Sequence, residues 1–228
     1  RLSAAVRQVR PDIILVMGRM ANCRAASLRN TYAGAAVVAT MRTGKSLPWL
    51  FRRGLRVAQH VVANSHQAQS LLVSRYGIPA TKISVIYNSL IFGSRPADDA
   101  RRVLRSRYGA GNNTCVLLNV AMFRPEKNQR ELIEIAATFP HEFDWQLWLA
   151  GEGPARASCE RLAAEKQLTD RVKFTGFNAN PADLYAGGDI AVHASSSESL
   201  SNFLIEAQSH GLPAVAYAAQ GIRETFVP

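Results

Sequence analysis

Two carboxylates, Glu198 and Glu206, stand with seven residues between them in the stretch Ser195-Ser-Ser-Glu198-Ser-Leu-Ser-Asn202-Phe-Leu-Ile-Glu206-Ala-Gln-Ser-His210-Gly-Leu-Pro213. The stretch opens as a polar loop after the apolar run Asp189-Ile-Ala-Val-His-Ala and continues as a short helix. Ser199 or Ser201 is placed to cap that helix, since a hydroxyl there accepts from a free amide of the first turn. Gly211 ends it, because glycine takes the left-handed C′ conformation without penalty, and Pro213 forbids continuation. Free amides at a helix start suit an anion such as a diphosphate. A carboxylate one to two turns further in suits the neutral hydroxyls of a sugar or ribose. The plainer alternative is a solvated loop and an ordinary amphipathic helix with one exposed glutamate. Lys127 is a further candidate. A cation sits badly at the positive end of a helix unless an anion lies there too, although an exposed helix-start lysine remains an alternative. Gly151 and Gly153 carry little by themselves, because a strand-to-helix turn takes glycine anyway. His193, on an apolar strand, and His210, at a helix end, read as structural.

The elements that must position these residues alternate along the whole chain. In the first half, helices are expected at Arg1–Val9, 21–32, 47–57 and 66–76, the last after the start signal Asn64-Ser65. Strands are expected at Asp12–Met17, Ala35–Thr40, 61–63 and Ile83–Ile86. Runs apolar on both faces, separated by helices, indicate a parallel sheet covered on both sides. Residues 88–113 break the alternation with Gly93, Ser94, Pro96, the Arg-rich helix Arg101–Tyr108, Gly109 and Gly111, and mark a domain boundary. The alternation then resumes. Strands are expected at Cys115–Val120, Trp145–Ala150, Val172–Phe174, Asp189–Ala194 and Pro213–Tyr217. Helices are expected at Lys127–Phe139, Pro154–Gln167, with Pro154 in the first turn, and Pro181–Ala186. In an open parallel sheet ligands bind beyond the C-terminal strand ends. Residues 123–127, 151–153, 176–177 and 195–198 all fall there.

Composition narrows the class. The 228 residues are 47% hydrophobic and 19% charged, so the chain is globular with a sizeable core. Its apolar runs are far shorter than the roughly 20 residues of a membrane span, and no signal peptide is visible. It opens on Arg1 within an amphipathic stretch and reads as a fragment. Cys23, Cys115 and Cys159 are odd in number and lack metal-ligand spacing, which fits a reduced cytoplasmic setting. Residues 1–110 hold 18 Lys and Arg against 3 Asp and Glu, whereas residues 111–228 hold 9 against 14, so the basicity belongs to the first half. No aromatic-basic stripe favours nucleic acid. Arg52, Arg53 and Arg56 interleave with Trp49, Leu50, Phe51 and Leu55, the pattern of a basic amphipathic surface helix, and contact with an anionic membrane surface is preferred over an anionic substrate or a plain solvated basic face.

The second half resembles the donor-binding domain of retaining GT-B glycosyltransferases of the Glu-x7-Glu family, glycosyltransferase family 4 or glycosyl transferases group 1. The matching segments are residues 120–128, 149–154, 172–177, 189–195 and 198–213, in family order and at family spacing, with Gly221-Ile-Arg-Glu224 as the glycine-rich tail segment. The first half matches more weakly through Val62-Ala-Asn-Ser65 and Ile83-Ser-Val-Ile-Tyr-Asn88. The resemblance implies an α/β fold of two Rossmann-like parallel-sheet domains, the first incomplete. Residues 1–90 would form the acceptor side, 91–113 a linker, and 114–228 a donor domain truncated at its C-terminus.

For individual residues the resemblance implies that Glu206 accepts from ribose hydroxyls and Glu198 lies near the donor sugar hydroxyls. Lys127 would neutralise the diphosphate leaving group, and Gly176 would let backbone approach the nucleobase. Gly151, Phe177 and Asn202 complete the expected donor site. Two positions depart from the family pattern. Met122 stands where an arginine is usual, five residues before the lysine, and Arg124 could supply that phosphate contact. Within Val38-Ala-Thr-Met-Arg-Thr-Gly44, Arg42 occupies the place of a family histidine. Arginine cannot act as a base at neutral pH, but it could steady the leaving diphosphate or an anionic acceptor; a plain loop arginine is the alternative. The resemblance thus implies a hexosyltransferase-like enzyme using a nucleoside diphosphate sugar, with no metal and no other cofactor. Its acceptor would be a glycan or lipid-linked molecule, as in lipopolysaccharide or capsule synthesis, and its location cytoplasmic, at the inner face of the plasma membrane. Two other readings stay open: a nucleotide-sugar-binding module without transfer activity, and a nucleotide-sugar epimerase of similar shape. No Gly-x-Gly-x-x-Gly follows a strand, which disfavours a dinucleotide oxidoreductase.

Overall fold

The computed structural model describes residues 2–43, 46–90, 96, 98–178 and 181–226. Arg1 of the first expected helix, Gly44 of the segment around Arg42, and Gly93 and Ser94 of the boundary segment lie outside the described residues. The chain divides into two compact units: Arg1–Ser89 with Glu198–Leu200, and Leu90–Ser197 with Ser201–Pro228.

The first unit runs α1 (Leu2–Val9), β1 (Ile13–Val16), α2 (Gly18–Asn22), α3 (Ala25–Thr31), β2 (Ala36–Met41), α4 (Trp49–Val57), β3 (His60–Ala63), α5 (His66–Tyr76) and β4 (Ile83–Val85). Its four strands pair in parallel in chain order, with Ile13 opposite Ala36, Val38 opposite His60 and Val61 opposite Ile83. Val37, Ala39, Met41, Val61 and Ala63 pack under Phe51, Leu55 and Leu72. The single helix expected over 21–32 is two helices. Asn22 is fully buried at the break; its amide donates to the Gly18 carbonyl at 2.8 Å and its Oδ1 accepts from the Thr40 amide at 3.2 Å. That second bond reaches β2, and no local signal announces it. A Cβ on Gly54 of α4 would stand 2.1 Å from the Asn22 carbonyl oxygen, so the glycine allows α4 to lie directly on α2. β1 is an edge strand: Ile13 and Leu15 stay more than half exposed, unlike the doubly covered strand their apolar run implies. α5 spans the expected residues, with Ser65 Oγ accepting from the Ala68 amide and Gly77 closing it at φ +64°.

The second unit runs α6 (Ala100–Tyr108), β5 (Cys115–Val120), α7 (Gln129–Ala136), β6 (Trp145–Ala150), α8 (Arg156–Glu165), β7 (Val172–Gly176), α9 (Ala182–Gly187), β8 (Ile190–His193), α10 (Asn202–Ser209) and β9 (Ala214–Ala216). All pairings are parallel, in the order β7-β6-β5-β8-β9, so β5 is central. β6 is buried along its whole length, with Trp145, Leu147, Trp148 and Leu149 filling both faces of the sheet.

α6 lies on this sheet through an ionic knot. Asp189, just before β8, accepts from Arg101 at 2.6 Å, Arg105 at 3.0 Å and the Val116 amide at 2.7 Å. Arg105, with a side chain only 5% exposed, also donates to the Gly111, Thr114 and Gly187 carbonyls. Burial works against the Asp189 charge, but the hydrogen bonds from Arg101, Val116 and Arg105 outweigh it and hold the carboxyl below its usual range. Two further boundaries differ from expectation. α8 starts at Arg156, so Pro154 precedes the helix instead of occupying its first turn. The helix expected from Lys127 is a 3-10 turn, Pro125–Lys127, followed by α7, because Asn128 adopts φ +55° between them.

Candidate functional site

The strand order of the second unit creates a switch point. The chain leaves β5 toward β6 on one side and leaves β8 toward β9 on the other. The loops after β5 and β8 therefore part company at the C-terminal rim, where open α/β sheets hold their ligands.

Three of the rim loops are stitched together by backbone. The Ala121 amide donates to the Ala150 carbonyl, the Phe123 amide to that of Glu152, and the Gly151 amide to that of Gly176, all at 2.8–3.0 Å. A Cβ on Gly151 would meet the Ala121 oxygen at 2.1 Å, and one on Gly153 would meet the Phe123 oxygen at 2.3 Å. Both glycines are thus explained by backbone approaching backbone inside the protein. Gly176 takes φ +75° at the end of β7, beside the Glu152 carboxylate. Phe177 follows it with 78% of its surface exposed, an aromatic face held at the rim. Phe123 is buried against Phe174 and anchors the first loop from below.

The loops on either side of the switch point meet at one carbonyl. Glu126 O accepts from Ser195 Oγ at 2.9 Å and from the Ser196 amide at 3.0 Å. Lys127 is the next residue on one loop, and Glu198 lies two residues beyond Ser196 on the other. Arg124 is exposed and Lys127 half-buried, and they bracket the same turn, closed by the Lys127 amide on the Arg124 carbonyl at 2.9 Å. Two cations on one turn, Arg124 and Lys127, are able to hold an anion. Met122, in the place of the family arginine, is 52% exposed on that loop.

Glu206 is the fifth residue of α10. Ser201, not Ser199, caps this helix by accepting from the Leu204 amide at 3.4 Å, and Gly211 closes it at φ +80°. Asn202 is the exposed first residue. Glu206 is not the exposed glutamate of an ordinary surface helix. It is half-buried, and its Oε2 accepts from the Tyr185 hydroxyl at 2.6 Å. Tyr185, on α9, is 1% exposed. Burial, then the hydrogen bond and charge of Glu206, push its pKa far up, so it remains a donor throughout the physiological range. The sequence reading missed this residue, which looks like one more apolar position of a short helix. His193 and His210 pack as side chains: the His193 ring lies 5.8 Å from Phe203, and the His210 ring 4.8 Å from Tyr185.

Arg42 belongs to the first unit, just past the C-terminal end of β2. It is exposed, 3.5 Å from Asn88 Oδ1, and lines an open cavity of about 360 Å³ with Thr40, Asn64, Tyr87 and Asn88. Among the described residues, no three His, Cys, Asp or Glu side chains are grouped to hold a metal, and no helix is long and apolar enough to cross a membrane.

Two family models match the chain: glycosyl transferases group 1 over residues 100–228 and glycosyltransferase family 4 over residues 1–90. The chain is 28% identical over 194 residues to N-acetyl-alpha-D-glucosaminyl L-malate synthase of Bacillus anthracis, covering 83% of this chain and 49% of that protein. It is 25% identical to the lipopolysaccharide core biosynthesis glycosyltransferase LpsE of Rhizobium meliloti, covering 94% of this chain and 58% of that protein. The chain spans about half the length of the curated relatives it matches. Among solved structures, Anabaena Alr3699/HepE in complex with UDP superposes with a TM-score of 0.85 at 26% identity, covering all of this chain and 66% of that one.

Proposed function

Since this chain belongs to the glycosyl transferases group 1 and has the α/β architecture of GT-B enzymes, we propose that it forms part of a retaining glycosyltransferase. The enzyme moves a sugar from a nucleoside diphosphate to a glycan or lipid-linked acceptor of a bacterial surface polysaccharide, such as lipopolysaccharide. Residues 114–228 are assigned to the donor and residues 1–90 to the acceptor, with 91–113 between them. The observation that carries the reading is the seam at Glu126, which ties the turn of Arg124 and Lys127 to Ser195 and Ser196 of the loop after β8, across the switch point. Lys127 and Arg124 neutralise the diphosphate as it leaves, the electrostatic part of catalysis. Glu198 receives the donor sugar hydroxyls, and Glu206 the ribose. Gly176, Phe177, Gly151 and Asn202 border the nucleotide, and Arg42 faces an anionic acceptor. The cations take over the charge neutralisation that a metal supplies in other transferases, so the reaction proceeds without one. UDP in the Anabaena structure and the lipopolysaccharide role named for the Rhizobium relative support the donor and acceptor classes.

The cytoplasmic membrane surface is the proposed setting. Residues 1–89 hold 13 Lys and Arg against a single acid, Asp12. Arg7, Arg24 and Arg53 line one open cavity of about 830 Å³ beside Met20 and Leu50. Exposed Trp49 lies beneath the Arg53 guanidinium at 5.7 Å. Cationic and apolar groups side by side suit an anionic lipid surface.

The test uses the full-length protein, an α-linked nucleotide-sugar panel and acceptor extracts, with and without a chelator. An α-linked product in both conditions is expected. A β-linked product would refute retention, and a chelator-sensitive rate would refute metal independence. Donor binding without turnover would make the protein a binding module, and donor conversion without acceptor would make it an epimerase.

A further inference from the structure

Three side chains, Phe203 and Glu206 of α10 and His210 at its C-cap, are spaced three and four residues apart and lie along one face. Tyr185, from α9, lies along that stripe. Its ring is 6.3 Å from Phe203 at 24° and 4.8 Å from His210 at 34°, centroid to centroid. The two rings fix where the phenol lies, and a buried phenol must find a partner for its hydroxyl. The partner between the two rings is Glu206, whose Oε2 accepts at 2.6 Å. An ionised carboxylate only accepts, through two oxygens. The Tyr185 bond fixes the direction of Oε2, and among the described residues no protein group donates to Oε1.

We infer that Tyr185 is a positioning residue that holds the Glu206 carboxylate with Oε1 directed to the donor ribose, and that this pair makes the site selective for ribonucleotides over 2′-deoxyribonucleotides. The inference rests on the assignment of Glu206 to the ribose made above. A carboxylate held through one oxygen accepts from a ribose hydroxyl with less rotational freedom to lose, and it leaves a half-buried acceptor unmatched when that hydroxyl is missing. A site built in this way rejects the analogue that lacks the hydroxyl more strongly than it gains from the one that has it. Without the tyrosine hydroxyl the carboxylate turns more freely and bonds solvent as well, so the distinction shrinks.

The experiment is titration calorimetry with UDP, GDP, ADP and CDP, each beside its 2′-deoxy counterpart, on the wild type and the variants Tyr185→Phe, Glu206→Ala and Glu206→Asp. All four proteins are first checked for cooperative melting. Wild type is expected to prefer the ribo form of its nucleotide by roughly 10- to 100-fold, the worth of one hydrogen bond to a charged group. Tyr185→Phe keeps both ring contacts and is expected to reduce that preference to a few-fold. Glu206→Asp draws the carboxylate back from an intact tyrosine and is expected to do the same. Glu206→Ala is expected to abolish the preference. A merely structural Tyr185 would lower the melting temperature and leave the ribo-to-deoxy ratio unchanged. An unchanged ratio in Tyr185→Phe, with the ratio lost in Glu206→Ala, overturns the positioning role and leaves the ribose assignment standing. Equal binding of both forms by the wild type overturns the selectivity and the positioning role, and an unchanged ratio in Glu206→Ala or binding of no pair overturns the ribose assignment as well.

Discussion

Replacing Asp189 by Asn removes the charge that joins α6 to the start of β8, with nearly the same shape. The carboxylate serves two guanidinium groups and one amide. An Asn carbonyl can still accept from Val116, but its amide nitrogen then faces the guanidinium groups. Arg101 is 47% exposed and loses little. Arg105 is 5% exposed and keeps only carbonyl partners, so its charge is left without a counter-ion. Breaking a buried ion pair from one side costs about 3 kcal/mol at the low end of its range, and Asp189, itself 28% exposed, belongs at that end. In chains of this size the melting transition containing the second unit should fall by roughly 6–12 °C at pH 7. The pH dependence has a fixed sign. The folded Asp189 carboxyl lies below its ordinary value, so its contribution is present above about pH 4 and fades as pH falls through the folded pKa. Calorimetric scans of both proteins from pH 7 to pH 3 are the assay, and the gap between them should narrow below about pH 4. Equal melting at pH 7, or a gap unchanged at pH 3, would refute the reasoning.

Other consequences are sharper at the rim. Glu206→Ala leaves the buried Tyr185 hydroxyl without its acceptor and should cost about 1–3 kcal/mol. Glu206→Gln keeps an accepting oxygen and should melt within about 2 °C of wild type; equal losses in the two variants would mean that the Tyr185 contact contributes nothing. Gly151→Ala puts a methyl 2.1 Å from the Ala121 oxygen at φ +133°. It should destabilise by at least about 2 kcal/mol, read as a lower urea midpoint, whereas Gly211→Ala, with open space around it, should cost only about 1 kcal/mol.

Much of the fold follows local rules that are visible in the residues. Cys115–Val120 and Trp145–Ala150 are short apolar runs closed by polar loops, and both strands appear at the expected bounds. α5 has both its ends written nearby, in Ser65 and Gly77. The stretch around Glu198 and Glu206 is legible for the same reason, because a strand, a polar loop, a serine cap and a terminal glycine follow one another directly. What was not legible depends on partners distant in sequence. The break after Asn22 is held by Thr40, the seam at Glu126 is made by Ser195 and Ser196, and the Glu206 carboxylate accepts from Tyr185. Asn128 misled in a different way: nothing in Glu-Lys-Asn-Gln distinguishes a helix start from a left-handed residue that delays it by two positions.

The central claim is that the rim of the second unit, at Lys127 and Arg124, holds the diphosphate of a nucleotide-sugar donor. Its most direct test is thermal melting of this chain against UDP-, GDP-, ADP-, CMP- and dTDP-linked sugars, beside Lys127→Ala. At about 100 times the dissociation constant a bound donor adds about 2.7 kcal/mol, a rise of roughly 5–10 °C. The account predicts that rise with one nucleotide class and its loss in Lys127→Ala. A cooperatively melting wild type that no donor stabilises, or a rise that Lys127→Ala retains in full, would contradict it.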